Sequence, residues 1–299
     1  MNDFWKYHGL GNDYLVMEPT RFQQEPKPEA IAKICDRHMG VGADGVLWGP
    51  IRSGSNSTDE PMALVIYNAD GSQGEKSGNG LRIFARHVWE RKLATQRKFL
   101  LDTAGGRVEA EILREDGSRV AIEMGSISFE SKAIPMTGEN RTVLEETLNV
   151  DGRDIVINGA TVGNPHCVVM VEEPTPELAR ELGPKLENHP AFPNRTNVQF
   201  MRAIGPQEIQ IEIWERGSGY TLASGTSSCA AASVAVKLGL VRPPVTVHTQ
   251  GGLLLVSLEE NDNGGFEARL EGDVASVLAG NFTGEFLSDN GLVRMSSDD

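Results

Sequence analysis

One pattern occurs twice in this 299-residue chain, in the same order and at nearly the same spacing, and it limits the fold more than any other feature. Gly11-Asn12-Asp13-Tyr14 precedes the apolar run Leu15–Met17, and Gly163-Asn164-Pro165-His166 precedes the apolar run Cys167–Val171. The asparagines are followed, 65 and 60 residues later, by Ser-Gly pairs that open helical stretches, Ser77-Gly78-Asn79-Gly80 and Ser224-Gly225-Thr226-Ser227. A single Gly-Asn pair is ordinary turn chemistry. Two of them with matching Ser-Gly pairs downstream predict two similar halves facing each other with a site between them. The length agrees, since roughly 150 residues make a domain.

Most of the regular structure reads as strand. Val108, Ala110 and Ile112 alternate with charged residues, and after a turn at Asp116-Gly117-Ser118 the alternation resumes at Val120, Ile122 and Met124. That is an antiparallel hairpin with one wet face. Ile209, Ile211 and Ile213 alternate in the same way, and Leu253 to Leu270 form a second hairpin turning at Asn263-Gly264-Gly265. Helices are expected over Glu29–His38, Leu81–Trp89, Glu177–Leu186 and Thr226–Leu238. The second is amphipathic by spacing, while the last is small or apolar all round, as in a central helix wrapped by a sheet. Two stretches, 52–61 and 188–197, read as loops.

Composition excludes several function classes. With 42 acidic and 28 basic residues the net charge is −14, which is the wrong sign for nucleic-acid or anionic-membrane binding. No apolar run reaches the ~18 residues of a membrane span, and the first residues lack the apolar core of a signal peptide. Three sparse cysteines, Cys35, Cys167 and Cys229, suggest reduced thiols in a cytoplasm. No metal-ligand spacing and no phosphate-binding loop is present, the glycine-rich Gly40-Val41-Gly42-Ala43-Asp44-Gly45 included, so no cofactor is expected.

The candidate site residues come from the duplicated strings and one strand end. Ser77 and Ser224 each start a helix, and a helix N-terminus presents unpaired N–H groups and partial positive charge to an anion. The plainer reading is that serine is a preferred N-cap. Asn12, Asn68, Asn164 and Asn197 can both donate and accept, which suits a zwitterionic amino acid, although Asn68 also reads as part of a turn. Glu215 and Arg216 end an alternating strand, where a turn can bring both to one place. His8 and His166 are candidate general bases, and a lone histidine is more often structural.

HGLGNDY (8–14), GVGADG (40–45), NADGS (68–72), GNGLRIFAR (78–86), TVGNPH (161–166), NRTNVQF (194–200) and WERGSGYTLA (214–223) together resemble the diaminopimelate epimerase family of cofactor-independent racemases, in family order and along nearly the whole chain. The resemblance implies an α+β fold of two pseudo-symmetric domains, each a curled, mainly antiparallel sheet around a central helix. The expected domains are 1–126 with 281–299, and 127–280. It implies that Asn12, Asn68, Asn164, Asn197, Glu215 and Arg216 hold the distal end of an amino-acid substrate. The backbone N–H groups of Gly78, Asn79, Gly225 and Thr226 would bind the reacting α-carboxylate, with His166 and Glu215 orienting the acid/base groups. A homodimer is the assembly to be considered.

The family uses two cysteines, one from each domain, to move the α-proton, and this chain has Ser77 and Ser224 at those positions. A serine hydroxyl is far less acidic than a thiol and is a weak base until a neighbour activates it. The resemblance leaves three readings: an epimerase or related racemase or dehydratase working through serine, a non-catalytic amino-acid-binding paralogue, or an engineered removal of the proton-transfer pair. Lys76 and Ile83 also depart from the family pattern, which speaks for a natural serine branch. The leading expectation is epimerisation at an amino-acid α-carbon, with L,L-diaminopimelate, on the way to lysine, as the first substrate.

Overall fold

The structure is a computed structural model and describes residues 2–51 and 60–295, so 52–59 of the expected loop lie outside the described residues. The chain divides into two compact units, residues 1–122 with 273–299, and residues 123–272.

The first unit opens with a hairpin of β1 (Phe4–Gly9) and β2 (Asn12–Met17), antiparallel with Gly9 opposite Asn12. The two linking residues, Leu10 and Gly11, have φ of 57° and 90°, the left-handed pair that a two-residue hairpin needs. α1 (Pro28–Cys35) then carries the chain over to β3 (Gly45–Ile51), which lies parallel to β2 with Tyr14 beside Gly45. β4 (Met62–Asn68) returns antiparallel to β3, and the short β5 (Gln73–Gly74) pairs with it. α2 (Gly78–Glu90) makes the second crossover, to β6 (Lys98–Thr103), parallel to β4. β7 (Gly106–Ile112) and β8 (Arg119–Ile127) complete the run as antiparallel neighbours.

The second unit repeats this plan. β9 (Glu146–Val150) pairs with β10 (Arg153–Thr161), and β10 with β11 (Pro165–Met170), both antiparallel. α3 (Pro176–Glu187), capped by the Thr175 hydroxyl and opened by proline, crosses to β12 (Asn197–Gly205), parallel to β11 with His166 beside Asn197. β13 (Glu208–Glu215) returns antiparallel, β14 (Gly219–Thr221) pairs with it, and α4 (Gly225–Lys237) crosses to β15 (Val245–Thr249), parallel to β13. β16 (Gly252–Glu260) and β17 (Phe266–Asp273) close it as antiparallel neighbours. The chain then returns to the first unit, where β18 (Ala275–Gly280) pairs with β1 and α5 (Gly284–Asp289) follows. Arg294 ties this segment to Asp3 through two hydrogen bonds of 2.6 and 2.8 Å.

The α+β fold is therefore mainly antiparallel, with two parallel crossovers per unit that alternation alone does not reveal. The unit boundaries differ from those expected, at 122/123 and 272/273 instead of 126/127 and 280/281. Residues 275–280 belong with the first unit because they pair with β1.

α4 is the wrapped helix that its composition predicts: Gly225 to Ala235 are all buried, and strands β10, β11, β12, β13, β15 and β16 surround it. α2 departs from the amphipathic reading, because Gly78 to Ala85, His87 and Val88 are buried too. Its three buried polar residues, Asn79, Arg82 and His87, have hydrogen-bond partners; His87 Nε2 meets Glu18 Oε1 at 3.1 Å. Each apolar side chain buried here contributes roughly 1.5–3 kcal/mol. The alternation of β13 also has an exception: Glu212 is buried, and its carboxylate accepts from the Tyr220 hydroxyl at 2.7 Å and Gln250 Nε2 at 2.8 Å. Among the described residues no helix is long and apolar enough to cross a membrane.

Candidate active site

The two Ser-Gly pairs fold into the same local structure. Ser77 and Ser224 are N-caps in extended backbone, with φ/ψ of −135°/115° and −142°/130°, and each opens a 13-residue helix. Ser77 Oγ accepts from Gly80 N at 3.1 Å, and Ser224 Oγ accepts from Ser227 N at 3.4 Å. Each side chain thus satisfies one of the orphan donors of its helix, while the helix end as a whole keeps its partial positive charge. The Gly-Asn strings also share a cause: Gly11 and Gly163 have φ of 90° and 94°, conformations that glycine adopts without strain, at the hairpin ends that deliver Asn12 and Asn164.

In the first unit Ser77 is half-buried and the Tyr14 hydroxyl donates to its Oγ at 3.4 Å. Asn12 and Asn79 are joined directly, Asn79 Nδ2 donating to Asn12 Oδ1 at 3.1 Å. Two residues that sequence reasoning left without a role complete the cluster. Arg82 Nη2 donates to Asn79 Oδ1 at 2.8 Å, and Asn12 Nδ2 donates to Asp44 Oδ2 at 2.8 Å. Next to them Asp13 takes Lys6 at 2.8 Å and Arg37 at 2.6 Å; burial alone would raise its carboxyl, and these two cations hold it below the usual range. Asn68 does not join this cluster. It is exposed, its amide donating to Ser72 Oγ at 2.9 Å within a tight turn that Gly71 closes at φ 85°.

In the second unit His166 is fully buried between two amides. Nε2 meets Asn164 Oδ1 at 2.9 Å, and Gln199 Nε2 donates to Nδ1 at 3.1 Å and to Ser227 Oγ at 3.0 Å. Burial pushes the imidazole down to about 3, with Arg216 adding to the effect and Gln199 opposing it, so the ring is neutral near pH 7. A neutral ring bonded on both nitrogens suits holding Asn164 in place more than taking a proton. His8 lies near the end of β1, beside the turn, and its Nδ1 accepts from Gly11 N at 3.3 Å. Asn197 donates to the Pro165 carbonyl at 2.9 Å and accepts from Arg216 N at 3.0 Å, so it pins the turn that carries Arg216. The Arg216 side chain donates to the Asn194 carbonyl at 3.1 Å, and Glu215 accepts from Thr221 Oγ1 at 3.1 Å.

The three thiols are buried. Burial pushes Cys35 and Cys167 up to about 12, with the charges of Asp13 and Asp44 adding to the effect at Cys35. They are poor nucleophiles and bases as they stand. Among the described residues no cluster of three or more histidine, cysteine or acidic side chains could hold a metal ion. Tyr14, Asp44, Arg82 and Gln199 were not singled out by residue type, yet each lies inside one of the quoted strings.

The strings that supply these residues lie within the part of the chain that matches a known family. The profile described as diaminopimelate epimerase aligns with residues 4–130 and 159–275. The chain belongs to the diaminopimelate epimerase family. It is 45% identical to diaminopimelate epimerase 2 of Nostoc sp., over 95% of this chain and 97% of that one. It is 37% identical to diaminopimelate epimerase of Methanothermobacter thermautotrophicus, over 93% and 97%. Among solved structures it is similar to a probable proline racemase from Agrobacterium radiobacter, with a TM-score of 0.67 at 15% identity, covering 95% of this chain and 93% of that one. A PhzF-family phenazine biosynthesis protein of Bacillus anthracis follows with 0.63 at 14% identity, covering 93% and 97%. These two solved structures share the fold of this chain.

Proposed function

We propose that the protein is a cofactor-independent epimerase of the amino-acid α-carbon that converts L,L- to meso-diaminopimelate in lysine biosynthesis in the cytoplasm. The observation that carries this reading is the Ser-capped helix N-terminus built twice, once per unit; the resemblance assigns the two proton carriers to these serines. Removing an α-proton leaves negative charge that spreads onto the carboxylate. Helix N-termini with fixed N–H groups stabilise such charge without reorganising. The backbone N–H groups of Gly78, Asn79, Gly225 and Thr226 are the proposed carboxylate donors. Asn12, Asn68, Asn164, Asn197, Glu215 and Arg216 are the proposed ligands of the distal amino-acid end, with Asn68 turning from its Ser72 partner to take part.

Ser77 and Ser224 are the proposed proton carriers. Their high pKa makes the chemical step slower than a thiol pair would, and the proximity of a hydroxyl donor becomes more important. Glu215 and the neutral His166 act by orientation. The test is proton NMR of the protein with L,L-diaminopimelate in D2O. Loss of the α-proton signal with growth of the meso form is the expected result.

A second reading is favoured by the same serines. Both hydroxyls already serve as helix caps, a role that needs no proton transfer. If the α-proton persists while the ligand raises the melting temperature, the protein is an amino-acid-binding relative and the epimerase assignment falls.

A further inference from the structure

Three hydrogen bonds in the first unit run head to tail. Arg82 Nη2 donates to Asn79 Oδ1 at 2.8 Å, Asn79 Nδ2 to Asn12 Oδ1 at 3.1 Å, and Asn12 Nδ2 to Asp44 Oδ2 at 2.8 Å. Beyond them Arg37 Nη2 donates to Asp44 Oδ1 at 2.8 Å. Every donor between Arg82 and Asp44 points the same way, from a cation to a carboxylate. A guanidinium can only donate, and a carboxylate can only accept. With those two ends fixed, neither asparagine amide can turn over without setting a carbonyl against Asp44 or an NH2 group against Arg82. Bonds aligned in this way also polarise one another.

The burial of the chain follows its direction. Arg82 is 0% exposed and Asn79 4%, while the Asp44 side chain is 41% exposed. Arg82 also donates back to the Gly78 carbonyl at 3.3 Å, which holds its guanidinium against the first turn of α2. The second unit lacks the charged ends. Five residues after Ser224 stands Cys229, where Arg82 stands five after Ser77. Thr196 precedes the strand neighbour of His166, where Asp44 precedes the strand neighbour of Tyr14. There the ordering falls to the uncharged pair His166 and Gln199.

We infer that Arg82 and Asp44 are positioning residues which fix, from opposite ends, the amide orientations of Asn79 and Asn12. This rests on the functional reading above, in which Asn79 belongs to the reacting end of the substrate and Asn12 to the distal end. The relay couples the two ends: Asn12 keeps one N–H and one carbonyl lone pair beyond it, aimed by groups that do not themselves touch the substrate.

The experiment is a double-mutant cycle on the full chain with Asp44→Asn, Arg82→Lys and both together, with two readouts. The first is the Kd for L,L-diaminopimelate by calorimetry. The second is the side-chain NH2 resonance of Asn12, assigned by its loss in Asn12→Asp. Each single variant is expected to weaken binding by about tenfold or more, because a hydrogen bond to a charged group is lost. The double variant should weaken it by clearly less than the product, since both act through one relay. The Asn12 NH2 signals should move in both single variants without ligand, which a general loss of stability does not produce.

Binding as tight as the parent's in both single variants, or multiplying effects with unmoved Asn12 signals, would overturn the inference. If the parent protein does not bind diaminopimelate at all, the functional reading fails instead, and the Asn12 signals alone decide the relay, moved for and unmoved against. The part-exposed Asp44→Asn keeps the test open should Arg82→Lys not fold.

Discussion

The Tyr14 hydroxyl donates to Ser77 Oγ at 3.4 Å, and Tyr14 sits two residues after Asn12 as His166 sits two residues after Asn164. The duplication has thus put a phenol in the first unit where the second has an imidazole, and only the phenol meets a proposed proton carrier in its own unit through a hydrogen bond seen here. A donor at Ser77 Oγ stabilises negative charge that builds up on that oxygen. Tyr14→Phe should slow α-proton exchange in D2O by about tenfold, a modest effect for a long bond, and leave the Kd for diaminopimelate within about twofold. An unchanged exchange rate would remove Tyr14 from the proton-transfer step.

Restoring thiols is the sharper test of the serines. A cysteine has a pKa near 8.5, brought to about 3.5–7.5 at a helix N-terminus, and both positions are helix N-caps. Ser77→Cys with Ser224→Cys should raise the exchange rate by at least about tenfold near pH 7, with the rate now following the titration of a thiol. The corresponding alanine variants remove the caps and should cost about 1 kcal/mol each in urea unfolding. If the double cysteine variant exchanges no faster than the parent, the slow step lies elsewhere than at these two side chains.

His166 makes stability depend on pH in a defined direction. Its folded pKa is pushed to about 3 by burial, below the ~6.5 of an unfolded histidine. The unfolded chain therefore binds a proton that the native ring refuses, and stability falls as the pH drops from about 6.5 towards 3, by up to about 1.4 kcal/mol per unit. His87 is lowered by burial as well, against the opposing pull of Glu18, and adds to the same slope. Glu18 enters only further down. Burial would raise it, but hydrogen bonds from His87 and Arg91 hold it at about 2, so its share is lost as the pH falls below about 4.5. Urea melts at about pH 7 and pH 5 should show a shallower loss in His166→Gln than in the parent; equal slopes in the two proteins would contradict a buried neutral imidazole.

Much of this was legible in the residues. The alternation at 107–124 and at 253–270 marked strands that do pair antiparallel, and the small-residue run 226–238 marked the wrapped helix. What pairs with what was not legible, because a period of two says which face is wet and not which strand lies alongside; the parallel neighbours Tyr14 with Gly45 and His166 with Asn197 come from crossovers. The glycines of 40–45 carry no phosphate-binding pattern, and at Gly40 and Gly45 their cause is packing. A Cβ on Gly40 would lie 2.0 Å from the Lys33 carbonyl, and one on Gly45 2.2 Å from the Tyr67 carbonyl and 2.6 Å from the Tyr14 ring. Arg82 and Gln199 were overlooked because a long polar residue in a helix or strand pattern reads as solvent-facing until its partners are known.

A glycine in α3 offers a last test, because it bears on both packing and the site. Gly183 lies against Trp214, so that a Cβ there would come within 2.5 Å of Trp214 Cγ and 2.6 Å of its Cβ. These are the near atoms of the side chain, fixed to the backbone, and cannot swing away as a flexible tip would. Trp214 is tied to the same helix as well, its indole Nε1 donating to Glu187 Oε2 at 2.7 Å, and it immediately precedes Glu215 and Arg216. Gly183→Ala would gain about 1 kcal/mol of helix propensity. Overpacking costs about 1–3 kcal/mol, and a contact this short belongs at the upper end, so the net change is destabilising. The variant should unfold at lower urea and show altered tryptophan fluorescence. It should also bind diaminopimelate more weakly, because a displaced Trp214 carries the next two residues with it. A variant as stable as the parent would mean that α3 can shift away from β13 without loss, and that the seat of Trp214 does not set the position of Glu215 and Arg216.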